Sequence, residues 1–293
     1  MTVSNLPPVK KSYPRYVPCV WGEEFWELSA LCEKSSYLTE KKISLDKLIP
    51  DFPVLFKKIV TKENLSIQVH PNDSQASPYQ KKGKDECWFI LDSDNTTESG
   101  VYIGIKDQYA QDFLQEDFYE RPHLDSCLHF FPAQKGNFFN IPAGTLHAIG
   151  KNITLLEVQR PSDLTFRLWD WGRKGRERHL KEGIRSLNPF LNQFQNIQFF
   201  SSLPPLFSPF KGTVVGYQKL PSSSSFSLIP PQHPTPSQSY SWLVLYPLTQ
   251  GLSLESSVLP SSVILEANTT YLFSVNDYSI LSKEDSEIFF FFC

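Results

Sequence analysis

No stretch of this 293-residue chain approaches the roughly 20 consecutive apolar residues that a membrane-spanning helix requires. The most apolar run, "IFFFFC" at the carboxyl end, is too short and reads as a last buried strand. The amino-terminal "MTVSNLPPVKKSYPRY" lacks the apolar core of a secretory leader. An excess of one charge is missing too. With 28 Lys and Arg against 31 Asp and Glu, the net charge is −3, which offers no footing for a nucleic acid or a membrane surface. Glycine is scarce, at 13, and there is no Gly-rich phosphate loop, dinucleotide fingerprint or Ser/Cys nucleophile motif. No two cysteines form a C-x-x-C pair. Odd in number and scattered, Cys19, Cys32, Cys87, Cys127 and Cys293 read as thiols of a reducing compartment, so the expected location is the cytoplasm.

Aromatics and prolines, by contrast, are plentiful. The 23 Phe and 6 Trp favour a β-rich interior, and many of the 23 prolines flank strand-like runs. Short apolar runs separated by polar turns follow one another from "PVLFKKIV" (53–60) to "LTFRLWDW" (164–171). Three stretches break this rhythm with helical spacing: "LDKLI" (45–49), "DQYAQDFLQEDF" (107–118) and "RERHLKEGIRSL" (176–187). From about residue 190, Ser and Pro become dense and charges thin out. The expected class is therefore all-β, with one domain over 1–187 carrying helical additions and a second, smaller β domain over 188–293. The second contains a single histidine, His233, in a Pro-rich turn.

The segment "NLSIQVHP" (64–71) alternates as a half-buried strand should, with Leu65, Ile67 and Val69 on one side and Ser66, Gln68 and His70 on the other. One hydroxyl, one amide and one imidazole make an odd face for water. In "KGNFFNIPAGTLHAIG" (135–150), Pro142 and Gly144 form a reversal after which His147 opens a strand. In "GKDECWFIL", Glu86 leads an apolar strand, where a carboxylate requires a partner. Gln68, His70, Glu86 and His147 together supply two imidazoles, a carboxylate and an amide oxygen. That mixed N/O set suits one catalytic Zn²⁺ with an open position, and also Fe²⁺, Mn²⁺ or Co²⁺.

The spacing around His147 is similar to the second half of the cupin signature, which implies a jelly-roll barrel with the metal in its mouth. Over roughly the first 185 residues the chain resembles the type I phosphomannose isomerases. "WGEEFWELS", "FPVLFKK", "LSIQVHPND", "GKDECWFILD", "FFNIPAGTLHAIG" and "LLEVQRPSDLTFRLWDWGR" match that family's motifs in order. The resemblance implies a double cupin whose second barrel is metal-free. It also implies reversible conversion of mannose 6-phosphate to fructose 6-phosphate through a cis-enediol, by a monomer or homodimer.

By the same resemblance, Arg167 falls at the family's catalytic arginine, Lys84 at a lysine near the sugar, and Lys57 at the lysine before the metal strand. Alternation places Asp163, Thr165, Arg167 and Trp169 on one face. Glu157, on a central apolar strand, is either a catalytic or supporting acid or half of a buried pair with an arginine; the family pattern favours the former. Ser66 and Arg173 are candidates for phosphate contacts. His123, His129 and His179 match no motif position and read as surface or satisfied residues. Two other classes fit the same ligands. An Fe²⁺-dependent cupin oxygenase would take up oxygen, and a sugar-phosphate-binding cupin would bind without turnover.

Overall fold

The computed structural model of the chain describes residues 10–38, 42–231, 240–256, 259, 261–274 and 278–293. His233 lies outside them. The chain forms two compact units, each built from antiparallel sheets.

The histidine-bearing unit comprises residues 16–26 and 54–202. A five-stranded sheet orders the strands Leu128–Pro132, Gly100–Ile105, His147–Ile149, Ile67–Val69 and Phe166–Trp169. A seven-stranded sheet has Phe138–Ile141, Glu86–Ser93, Ile153–Gln159 and Leu55–Thr61 at its centre. Facing residues of the two sheets, Val101, Ile103 and Ile149 from the first and Ile59, Trp88, Ile90, Phe139 and Leu155 from the second, form one buried cluster. The outer face of the five-stranded sheet, with Ile67, Val69, Ala148, Phe166 and Leu168, is covered by Phe113, Phe118, Tyr119 and Leu124 from the 107–127 stretch and by Leu187. This stretch folds as short 3-10 turns, Asp107–Tyr109, Glu116–Glu120 and Leu124–Cys127, rather than as the regular helix its spacing suggested. The expected helix over 176–187 begins only at Leu180.

The other unit takes the described residues of 1–15, 27–53 and 203–293. The boundary thus falls after Ser202 rather than after Leu187, and part of the amino-terminal segment belongs with the carboxyl-terminal strands. Backbone pairing decides both. Phe200 lies opposite Phe138 in the histidine-bearing unit, and Lys10 lies opposite Leu272. Within this unit an eight-stranded and a four-stranded sheet enclose Leu243, Leu245, Phe273, Ile288, Phe290 and Phe292 from one side and Leu252, Leu254, Leu265, Tyr278 and Ile280 from the other. The Ser286–Phe292 strand is buried on both faces, as "IFFFFC" suggested. Among the described residues no helix is long and apolar enough to cross a membrane.

Candidate metal centre

Register places the polar side chains in one interior. His147 lies opposite Gln68, and Gln68 opposite Arg167, so all three face the same side of the five-stranded sheet. In the other sheet Glu157 lies opposite both Lys57 and Trp88, on the face that also carries Glu86 two residues from Trp88. The reversal before His147 needs its glycine. Gly144 has φ +94°, and a Cβ there would stand 2.9 Å from the Asn188 Cβ.

His70, Glu86 and His147 converge with ligand atoms all within 4.8 Å of one another, and each is about 1% exposed. The His70 Nε2–Glu86 Oε2 distance is 3.2 Å and the His147 Nε2–Glu86 Oε1 distance 3.4 Å. Gln68 Nε2 stands 3.3 Å from His147 Nε2. The His147 Nδ1 lies 2.9 Å from the Thr145 carbonyl, which can only accept, so Nδ1 carries the proton and Nε2 presents a lone pair to the cluster. Burial pushes His70 down to about 3, helped by the Lys84 charge and opposed by Glu86. Burial likewise lowers His147. Both rings are therefore neutral at pH 7, the form that binds a metal. Burial alone would raise Glu86, but Lys84 and the two imidazoles more than offset it and hold the carboxyl well below its usual range.

Lys84, in a lysine-rich stretch, is not a solvated member of it. At 5% exposure its ammonium donates to Glu86 Oε2 at 2.7 Å and sits 2.8 Å from His70 Nε2. A cation thus already lies against two of the three donors, and His70 Nδ1 is buried without a hydrogen-bond partner. Two neutral imidazoles and an ionised carboxylate fit a divalent cation.

The remaining predicted residues separate into groups. Lys57 is buried and bonded to Glu157 at 2.8 Å, with Glu24 at 3.7 Å and the Trp26 ring centroid at 5.1 Å. Glu157 also accepts from Trp88 Nε1 at 3.2 Å. The buried pair of Glu157 is thus with a lysine and not an arginine. Burial lowers Lys57, but Glu157 and Glu24 outweigh it and the pKa rises; burial raises Glu157, against the pull of Lys57. Ser66 is buried and donates to Gln68 Oε1 at 3.3 Å. Arg167 is half-buried and donates to the Glu177 carbonyl at 2.6 Å, and its Nε has no partner. Arg173 and Arg176 both bind the buried Asp170, at 2.5 and 3.0 Å. Arg167 lies near enough to interact electrostatically with Asp170 and both of these arginines, so three guanidinium groups share one buried carboxylate and leave this edge cationic.

Three details differ from strict alternation. A bulge between Arg167 and Trp169 sends Trp169 to the outer face, opposite Ile67 and packed on Trp171, so it does not share the face of Arg167. Asp163 lies ahead of the strand and pairs with Lys81. Leu65 packs with Trp88 and Ile103 instead of with Ile67, because the strand starts only at Ile67. Among the other histidines, His123 is exposed, His179 Nδ1 accepts from the Arg167 amide, and His129 packs on Phe194 with its Nε2 unpartnered.

The chain is 39% identical over 140 residues to the mannose-6-phosphate isomerase ManA of Bacillus subtilis, a match spanning 45% of this chain and 43% of that one. It is 29% identical over 255 residues to the mannose-6-phosphate isomerase of Streptococcus mutans, covering 75% and 78%. The chain is thus similar in sequence to mannose-6-phosphate isomerases. No protein-family model matches it. Solved structures share this fold. The Bacillus subtilis mannose 6-phosphate isomerase superposes with a TM-score of 0.76 over 97% of this chain and 99% of its own, at 18% identity. A zinc-bound mannose 6-phosphate isomerase gives 0.74 over 98% and 99%, at 12% identity. The sequence match spans less than half of the length of the Bacillus relative ManA.

Proposed function

We propose that this chain is a zinc-dependent aldose–ketose isomerase that interconverts mannose 6-phosphate and fructose 6-phosphate. The observation that carries this reading is the buried convergence of His70, Glu86 and His147, with Gln68 alongside, in a chain similar in sequence to mannose-6-phosphate isomerases. These four residues would hold the ion, which when bound supplies a Lewis acid that polarises sugar oxygens.

The chain's own residues do the rest. Isomerisation moves one proton between C1 and C2, which needs a carrier beside those carbons and a fixed positive charge for the enediolate. Lys84 is the proton carrier this reading favours, because its amine is inside the cluster and fenced from water. Arg167 faces the same interior from the neighbouring strand and has an unpartnered Nε, so it is the donor assigned to the developing oxyanion. Glu157, bonded to Lys57 and Trp88, supports the site from the opposite sheet. The cationic edge of Arg167, Arg173 and Arg176 suits the phosphate, Arg173 making the contact, with Ser66 and Lys57 completing the substrate side. A place in the carbohydrate metabolism of a reducing cytoplasm agrees with five cysteines that form no disulfide.

The test is a coupled assay of zinc-loaded protein with mannose 6-phosphate, following fructose 6-phosphate. Turnover that disappears on chelation and returns with zinc is expected. Absence of turnover in protein with one zinc bound would overturn the isomerase reading, and oxygen uptake with iron would replace it by an oxygenase.

A further inference from the structure

The segments that carry His70, Glu86 and His147 are tied together by groups the proposed chemistry does not use. Arg160 follows the Ile153–Gln159 strand. Its guanidinium forks onto Asp73, with Nη1–Oδ2 at 3.0 Å and Nη2–Oδ1 at 2.8 Å, and its Nη1 reaches Asp85 Oδ2 at 3.5 Å. The other oxygen of Asp85 accepts from the Ala143 amide at 3.0 Å, and Asp73 Oδ1 accepts from the Gly83 amide at 2.9 Å. Backbone bonds reinforce the same junction: Arg160 N to Asp85 O at 3.0 Å, Lys84 N to Pro71 O at 3.0 Å and Gly144 N to His70 O at 2.9 Å.

Each connection ends near a metal donor. Asp73 is three residues after His70, Asp85 immediately precedes Glu86, and Ala143 is four residues before His147. The segments are pressed close, since a Cβ on Gly83 would come within 2.6 Å of the Asp73 amide nitrogen. The Arg160 side chain is 25% exposed, that of Asp85 27% and that of Asp73 66%. Ion pairs this wet add little to global stability. Their leverage is geometric, because a planar guanidinium fixes two carboxylates at a set spacing, which a lysine's single point charge cannot do.

We propose that Arg160 is a positioning residue which, through Asp73 and Asp85, sets the spacing of the three donor-bearing segments and thereby the affinity for the divalent cation. The inference rests on the metal reading given above. It is tested on the full chain by stripping the metal and titrating zinc back against a chromophoric chelator, in the parent, Arg160→Met, Arg160→Lys and Asp85→Asn. Arg160→Met weakens zinc binding by roughly 10- to 100-fold, the range for lost outer-layer partners, and Arg160→Lys recovers part of the loss. Asp85→Asn, which leaves an oxygen for Ala143, weakens it in the same direction. The visible spectrum of the Co²⁺-loaded Arg160→Met protein changes in band shape, while its metal-free melting midpoint moves by no more than about 4 °C.

Parent-like zinc affinity and cobalt spectrum in Arg160→Met would overturn the proposal. So would a metal-free Arg160→Met chain that has lost its fold alongside an Asp85→Asn chain with parental affinity, because Arg160 would then serve folding alone. A parent that takes up no zinc would instead overturn the metal reading, and this proposal with it.

Discussion

The two units share an architecture and differ in what they put inside it. Both pack antiparallel sheets face to face, and in both the inward positions alternate along each strand. In one unit those positions carry Leu243, Leu245, Phe273, Phe290 and Phe292, a dry and self-sufficient core. In the other, the same kind of position carries Lys57, Gln68, Glu86, His147 and Glu157 beside Trp88 and Ile103. Burying charge costs several kcal/mol per ion unless it is paired, and each buried charge here has its partner: Lys57 with Glu157, Lys84 with Glu86. The chemistry of this protein therefore comes from substitutions at inward strand positions and not from a different fold.

The contrast breaks most sharply at the donors. Glu86→Gln in the histidine-bearing unit abolishes tight zinc binding and lowers isomerase turnover by about 10³-fold or more, the equivalent of several kcal/mol of Lewis-acid stabilisation; steady-state rates with zinc analysis on the same samples check this. Next comes the pairing rule. Lys57→Met leaves Glu157 as an uncompensated buried carboxylate and destabilises the unit by about 3–5 kcal/mol in urea unfolding, and adding Glu157→Leu restores a large part. A double variant no more stable than Lys57→Met would refute it.

A smaller effect follows from pH. His70 near 3 and the lowered His147 both lie under the ordinary value of 6.5, so between about 3 and 6.5 the unfolded chain binds more protons than the folded one. The metal-free protein accordingly gains stability as pH rises through that window and loses it as pH falls. Urea midpoints at pH 5 and pH 7 with chelator present measure this, and His70→Asn with His147→Asn flattens the slope. The smallest effect is in the other unit. Lys11 pairs with Glu266 at 2.6 Å but in solvent, so Lys11→Met costs less than about 1 kcal/mol, against the several of Lys57→Met.

Part of the convergent polar cluster was legible in the sequence because inward side chains follow the two-residue strand period: Gln68 shows it, with His70 in step just past the strand's end, and Glu86 and His147 stand out as polar residues among apolar ones. The partner of Glu157 was not legible. Lys57 lies a hundred positions away, and only strand register brings it opposite. Arg160, Asp73 and Asp85 look like ordinary surface charges in loops, with no periodicity to flag them. The boundary between units was hidden for the same reason as Lys57, since the pairing of Lys10 with Leu272 leaves no trace in local composition. Alternation also failed where it was extended past a strand's end, at Leu65, and across a bulge, at Trp169.

Lys84 gives the donor cluster a resident positive charge of its own. Its nitrogen stands 2.8 Å from His70 Nε2 and 2.7 Å from Glu86 Oε2, so position 84 sets the charge balance of the whole donor set, and a neutral side chain there would leave the carboxylate as an unbalanced anion in the interior.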